Sequence, residues 1–305
     1  MSRTLWRLLP LAGVLLLRAG SQENVGTVFH SDTRVVVCNT TVKDNSGHFV
    51  TNLPQSAFSV FEDGVRQQIR IFKREDLPVS LGLIIDNSGS MRAKRPSVEA
   101  AALALVKDSN PEDEVFIVNF NDIAYLDSPF TSDIEVMEKA LKRIDARGGT
   151  AMRDAVQMSL DHLKADAHKD KKVLVVVTDG VENSSTVSKS LEELVRNARQ
   201  SGVVIYAVGL LAEEEKKDAA AAKHQLDLLA EATGGETFYP KDVSEVDRIA
   251  HQVARDIRSQ YTIEYSPSKP DMDGTFRRIK VTVHGPGSPT ARTRSGYYAS
   301  PDKGN

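Results

Sequence analysis

Asp86, Ser88 and Ser90 form an Asp-x-Ser-x-Ser run whose loop is opened by Gly89. Carboxylate and hydroxyl oxygens are hard donors, suited to Mg²⁺, Mn²⁺ or Ca²⁺, and they lack the thiolate and imidazole character typical of zinc sites. The run by itself is weak evidence, because Asp and Ser are also favoured residues at helix starts. Two other segments strengthen it: Arg147-Gly148-Gly149-Thr150 and Thr178-Asp179-Gly180. If all three reach one rim of a sheet, Asp86, Ser88, Ser90, Thr150 and Asp179 bring two carboxylates and three hydroxyls to one spot. Two negative charges only just balance a divalent cation, so such a site is coordinatively open and accepts water or a carboxylate from outside.

The elements needed to position these residues are legible. Short β-branched runs without internal proline mark strands at Val79 to Ile85, Val115 to Phe120, Val173 to Thr178 and Val203 to Val208. Between them, apolar residues recur at helical spacing: Val98, Ala101, Ala102 and Leu105, then Val136, Ala140 and Ile144, then Val156, Leu160, Leu163 and Ala167, then Leu191, Leu194, Val195 and Ala198. Alternating strands and amphipathic helices predict an α/β fold with a doubly wound, mostly parallel sheet. Ligands of such sheets bind beyond the carboxyl ends of the strands, which is where Asp86 and Asp179 fall. The flanks read as β structure. Before the α/β domain, a strand over Arg34 to Lys43 precedes Phe58 to Phe61, which ends at the hairpin signal Asp63-Gly64 with Ile69 to Phe72 as its return. After it come Tyr261 to Tyr265, Arg278 to Val283 and Ala291 to Tyr297. The expected organisation is a leader over 1–21, a β segment over 22–76, the α/β domain over 77–259 and a β segment over 260–305, with the two β segments forming one flanking module.

The motif set resembles the metal ion-dependent adhesion site of von Willebrand factor type A (VWA) domains, with all five positions filled, and the likeness runs from about Pro78 to Tyr239. The resemblance implies Ser88, Ser90 and Thr150 as direct or near ligands of one divalent cation, Mg²⁺ first, with Asp86 and Asp179 as charge partners often acting through water. Phe58 to Gly64, Asp273 to Arg277 and Ser295 to Tyr298 are also similar to the bacterial secreted VWFA-related family first noted in acidobacteria. The function expected is a non-enzymatic, adhesion-type module in which the metal accepts an acidic side chain of a protein partner. The alternatives are a metal-dependent hydrolase and a purely structural metal site.

Other residues narrow the class. Arg3 and Arg7 before the apolar run Leu8 to Leu17, with Ala19, Gly20 and Ser21 after it, read as a signal peptide and predict an exported, periplasmic or secreted protein. That run is too short to span a bilayer, so no membrane span is expected in the mature chain. Loss of Arg3, Arg7 and Arg18 with the leader moves the formal charge from −3 to −6. An acidic chain without a basic block disfavours nucleic acid as a partner. Cys38, the single cysteine, cannot form an internal disulfide and reads as a buried strand residue. No Gly-x-Gly-x-x-Gly, His-Glu-x-x-His or Gly-x-Ser-x-Gly motif supports dinucleotide binding, zinc hydrolysis or a serine nucleophile. Asp271 to Gly274 reads as a β-turn rather than a calcium loop. Arg92, Lys94 and Arg95 either steer an acidic ligand or cover a solvated helix start. Glu213 to Lys223 reads as a solvated helix or loop without chemistry.

Overall fold

The computed structural model describes residues 35–300 apart from 75, 143–145 and 189. The leader expected over 1–21 lies outside the described residues. The chain opens on β1 (Val36–Lys43), whose residues Val36, Cys38, Thr40 and Val42 alternate inward as a half-buried strand requires. A single 3-10 turn at Gln55–Ala57 leads into β2 (Phe58–Glu62), then β3 (Val65–Gln67) and β4 (Ile69–Lys73).

The hairpin turn is where it was expected, but its return strand is not. Asp63 and Gly64 both have positive φ, 47° and 83°, the pattern of a two-residue type I′ loop. That loop sets Val65 directly opposite Glu62, so the strand that returns is Val65–Gln67. Ile69–Lys73 instead crosses to the other sheet, where Phe72 pairs with Ile263.

The α/β domain follows with β5 (Val79–Asp86), α1 (Arg95–Lys107), β6 (Glu114–Phe120), β7 (Ala124–Thr131), α2 (Ile134–Leu141), α3 (Met152–Asp166), β8 (Lys171–Thr178), α4 (Leu191–Ser201), β9 (Val204–Gly209), α5 (Lys216–Thr233), β10 (Thr237–Phe238) and α6 (Val246–Arg258). Its six-stranded sheet has the order β10-β9-β8-β5-β6-β7, parallel throughout except for β7. One face packs Leu83, Ile85, Val115, Ile117 and Val175 on α1, α2 and α6. The opposite face packs Ile84, Phe116, Val118 and Val176 on α3, α4 and α5. The doubly wound reading holds. Three details differ. The antiparallel edge strand β7 was not anticipated, since Asp127 and Pro129 break its pattern and edge strands tolerate both. In α2 the inward face is Met137, Ala140 and Leu141, Val136 is exposed, and Ile144 of the expected stripe lies outside the described residues. Glu213 to Lys223 is largely exposed and helical as expected, and the difference is its extent, because from Lys216 onward it forms the first turns of the 18-residue helix α5.

The chain closes with β11 (Tyr261–Tyr265), β12 (Phe276–Val283), β13 (Thr290–Arg292) and β14 (Gly296–Tyr298). Both flanks build the same module, as two sheets ordered β13-β1-β11-β4 and β14-β12-β2-β3. The single strand expected over Ala291 to Tyr297 is therefore two, one in each sheet. The chain leaves the first sheet at Thr293, whose hydroxyl donates to the Asn39 carbonyl, and Ser295 N–H reaches the Ala232 carbonyl before β14 starts. Val36, Cys38, Phe58, Val60, Tyr261, Ile263, Val281 and Tyr297 fill the core between the sheets. Cys38 is fully buried there, and burial pushes its thiol up to about 12, far from a reactive thiolate.

Candidate functional site

The strand order locates the site. From β5 the chain steps to β6 on one side, and later to β8 on the other, so the crevice at the carboxyl ends of β5 and β8 is the switch point of the sheet. Asp86 is the last residue of β5, and Asp179 directly follows β8. Both carboxylates are fully buried.

Each of the five expected residues lies in this crevice. Asp86 Oδ1 accepts the Ser88 N–H at 2.7 Å, which folds the loop back over the strand end, and Oδ2 accepts the Thr178 hydroxyl at 2.5 Å. Ser88 and Ser90 hydroxyls are 3.1 Å apart, and Ser90 Oγ donates to Asp179 Oδ1 at 2.8 Å. Thr150 arrives from the other side, with its hydroxyl 3.2 Å from where a Cβ on Gly180 would stand. Ser88 and Thr150 are buried, whereas Ser90 is exposed, so the cluster opens to solvent on the Ser90 side.

Backbone contacts hold the three segments together. Gly89 N–H donates to the Gly148 carbonyl at 3.2 Å, and Arg147 N–H to the Asn87 carbonyl at 2.9 Å. Gly148 adopts φ +75°, and a Cβ there would fall 2.1 Å from Asp122 Oδ2. Glycine is needed on both counts. Asp122 in turn accepts the Gly149 N–H at 2.7 Å, and Asn183 Oδ1 accepts that of Thr150 at 2.8 Å. The loop after β8 is held by Glu182, which accepts from Arg153, Ser184 and Ser185 N–H groups, and by Asp154, which accepts from those of Thr186, Val187 and Ser188.

Burial pushes the Asp86 carboxyl up to about 6, opposed by the donors Thr178 and Ser88, while the nearby Asp179 adds to the rise. A cation in the crevice would offset this cost. The donor set fits a hard divalent ion: Ser88, Ser90 and Thr150 hydroxyls with two carboxylates, all oxygen. Among the described residues no group of three or more His, Cys, Asp or Glu side chains is placed to hold a metal, so hydroxyls have to complete any such site.

Sequence reasoning missed several supporting residues. Thr178, Asp122, Asp154, Glu182 and Asn183 act by orienting the cluster or its loops; the signal of Asp122 is only its place just past the end of β6, and that of the others is only adjacency to the motif. Of the basic residues after the loop, Arg92 is exposed, as a solvated cover would be, whereas Lys94 and Arg95 are placed differently from either reading. Arg92 donates to the Ala146 carbonyl at 3.0 Å, and Arg95 contacts Glu99 and the Leu141 carbonyl. Lys94 is buried with its Nζ 2.7 Å from Asp179 Oδ2. Lys94 and Arg95 therefore neither face solvent nor steer a ligand from outside.

The comparisons with known proteins agree with this fold. Residues 81–182 match the family model of the von Willebrand factor type A domain. An uncharacterized protein of Borreliella burgdorferi is 27% identical over 180 residues, covering 56% of this chain and 50% of its own length. Matrilin-3 of Gallus gallus is 24% identical over 240 residues, covering 74% of this chain and 49% of its own. The chain thus spans about half the length of these curated relatives. Among solved structures, a von Willebrand factor type A protein from Catenulispora acidiphila superposes with a TM-score of 0.52 at 14% identity, covering 90% of this chain and 76% of that one, which is a likeness of fold.

Proposed function

Because this chain carries a von Willebrand factor type A domain, we propose that it is a non-enzymatic binding module that captures a protein partner through one divalent cation, Mg²⁺ in the first place. Ser88, Ser90 and Thr150 hold the ion, Asp86 and Asp179 balance its charge, and an acidic side chain of the partner completes its coordination. The observation that carries this reading is the meeting of three separate segments at the sheet's switch point, with the Ser88, Ser90 and Asp179 oxygens linked at 3.1 and 2.8 Å. Two carboxylates supply no more charge than a divalent ion neutralises, which leaves it electrophilic toward an external carboxylate. The exposed Ser90 side supplies the approach.

The test is calorimetric titration of the purified chain with MgCl₂ and MnCl₂, alongside a Ser88→Ala/Ser90→Ala variant. Saturable binding at one site, lost in the variant while its urea unfolding midpoint is kept, supports the reading. Equal binding by the variant sinks it. A pull-down with the chain as bait, run in Mg²⁺ and in EDTA, then reads partner capture, and a partner held equally in both excludes a metal bridge. The leader expected over 1–21 supports export of the module, and mass spectrometry of the secreted or periplasmic fraction would find a chain starting near residue 22.

A further inference from the structure

Lys94 has no part in the adhesion-type site as proposed, yet it reaches into it. It follows the 3-10 turn Gly89–Ala93 and occupies the N-cap position of α1, without a capping hydrogen bond from its side chain. Its side chain is only 11% exposed, and lysine is rarely buried without a partner. Its nearest partner is Asp179, at 2.7 Å; Glu213, at 3.3 Å, is 79% exposed and correspondingly screened. Ser90 Oγ holds Asp179 Oδ1 and the ammonium holds Oδ2, so both oxygens of that carboxylate are engaged within the protein. An ion entering the crevice competes with Lys94 for Asp179.

We infer that Lys94 is a tethered counter-ion of the Asp86 and Asp179 pair, whose ammonium lowers the affinity of the crevice for a free divalent cation. The inference rests on the metal reading above. The charge balance gives its sign: two carboxylates and one ammonium present a net −1 to the ion, where the carboxylates alone would present −2. In a partly buried site, screening by water is weak, and one unit charge a few ångströms from a divalent ion changes its affinity by about tenfold or more. Lys94 differs in this from Arg92, which is spent on a backbone carbonyl.

The experiment is Mn²⁺ titration of the full chain, read by calorimetry and by the loss of free Mn²⁺ signal in electron paramagnetic resonance. It compares the wild type with Lys94→Met, Lys94→Gln, Glu213→Gln, and Lys94→Met combined with Ser88→Ala/Ser90→Ala. Lys94→Met and Lys94→Gln are expected to bind Mn²⁺ about tenfold or more tightly than wild type, or to bind where the wild type does not. Glu213→Gln should match wild type, and the combined variant should lose binding. Circular dichroism and urea midpoints identify a variant that has failed to fold, and the glutamine variant, which keeps a donor toward Asp179, serves in place of methionine if that one fails. Unchanged or weaker Mn²⁺ binding in both folded Lys94 variants, with wild type binding intact, overturns the inference alone and makes Lys94 an orienting partner of Asp179. Absence of Mn²⁺ uptake by wild type and both Lys94 variants overturns the metal reading first.

Discussion

At the scale of single residues, the candidate site is a set of oxygen atoms arranged by other oxygen donors. Thr178 illustrates this. Its hydroxyl donates to Asp86 Oδ2 at 2.5 Å inside a fully buried pocket, and the Ser88 N–H takes the other carboxylate oxygen. Thr178→Val keeps the shape and removes the donor, leaving a buried carboxylate oxygen short of a partner. The cost expected in metal-free protein is about 2 kcal/mol of unfolding free energy, read from urea denaturation. If Thr178 served only as a packing residue of β8, the isosteric change would leave the midpoint within error.

At the scale of elements, the three segments of the candidate site meet because loops are fixed to each other rather than to the sheet alone. The Asp86 loop is tied to the Gly148 loop by two backbone hydrogen bonds, and the Gly148 loop is tied to Asp122 and Asn183 by two more. Gly148→Ala places a Cβ in a left-handed conformation and against the Asp122 carboxylate. It is expected to destabilise the fold by about 1–2 kcal/mol and, by moving Thr150, to weaken Mn²⁺ binding. Calorimetric titration and urea melts check both, and an unchanged Mn²⁺ affinity would separate Thr150 from the metal site.

At the scale of the whole molecule, the β module and the α/β domain share a buried polar junction. Asp256 on α6 is fully buried and is met by Arg292 of β13 and by the Thr41 hydroxyl of β1, the latter at 2.5 Å. Lys43 and Arg292 both reach Glu236 just before β10, at 2.7 and 3.3 Å. Burial pushes the Asp256 carboxyl up, with Arg292 opposing. Arg292→Met therefore strands a buried charge and should cost about 3 kcal/mol. Adding Asp256→Asn should recover part of that loss, because the amide still accepts from Thr41 and carries no charge. A double-mutant cycle in urea measures the coupling, and strictly additive losses would mean the pair does not join the two parts.

The sequence by itself determined the alternation of strands and helices, the wound sheet and the β character of both flanks, and it nominated five candidate site residues, because periodicity and strand-end position are local properties. Asp86 and Asp179 could be assigned to one rim without any structure, since the ends of parallel strands share a rim by topology. Only the tertiary structure decided which sheet a short strand joins. Ile69–Lys73 and Gly296–Tyr298 carry ordinary strand patterns, and their partners are set by where the chain turns and by which core is left to fill. The same holds for Lys94. A basic residue at a helix start reads as solvated in sequence, and it becomes a buried partner of Asp179 because β8 brings that carboxylate beneath it. Charge pairing of this kind depends on distances between segments remote in the chain, which no local pattern encodes.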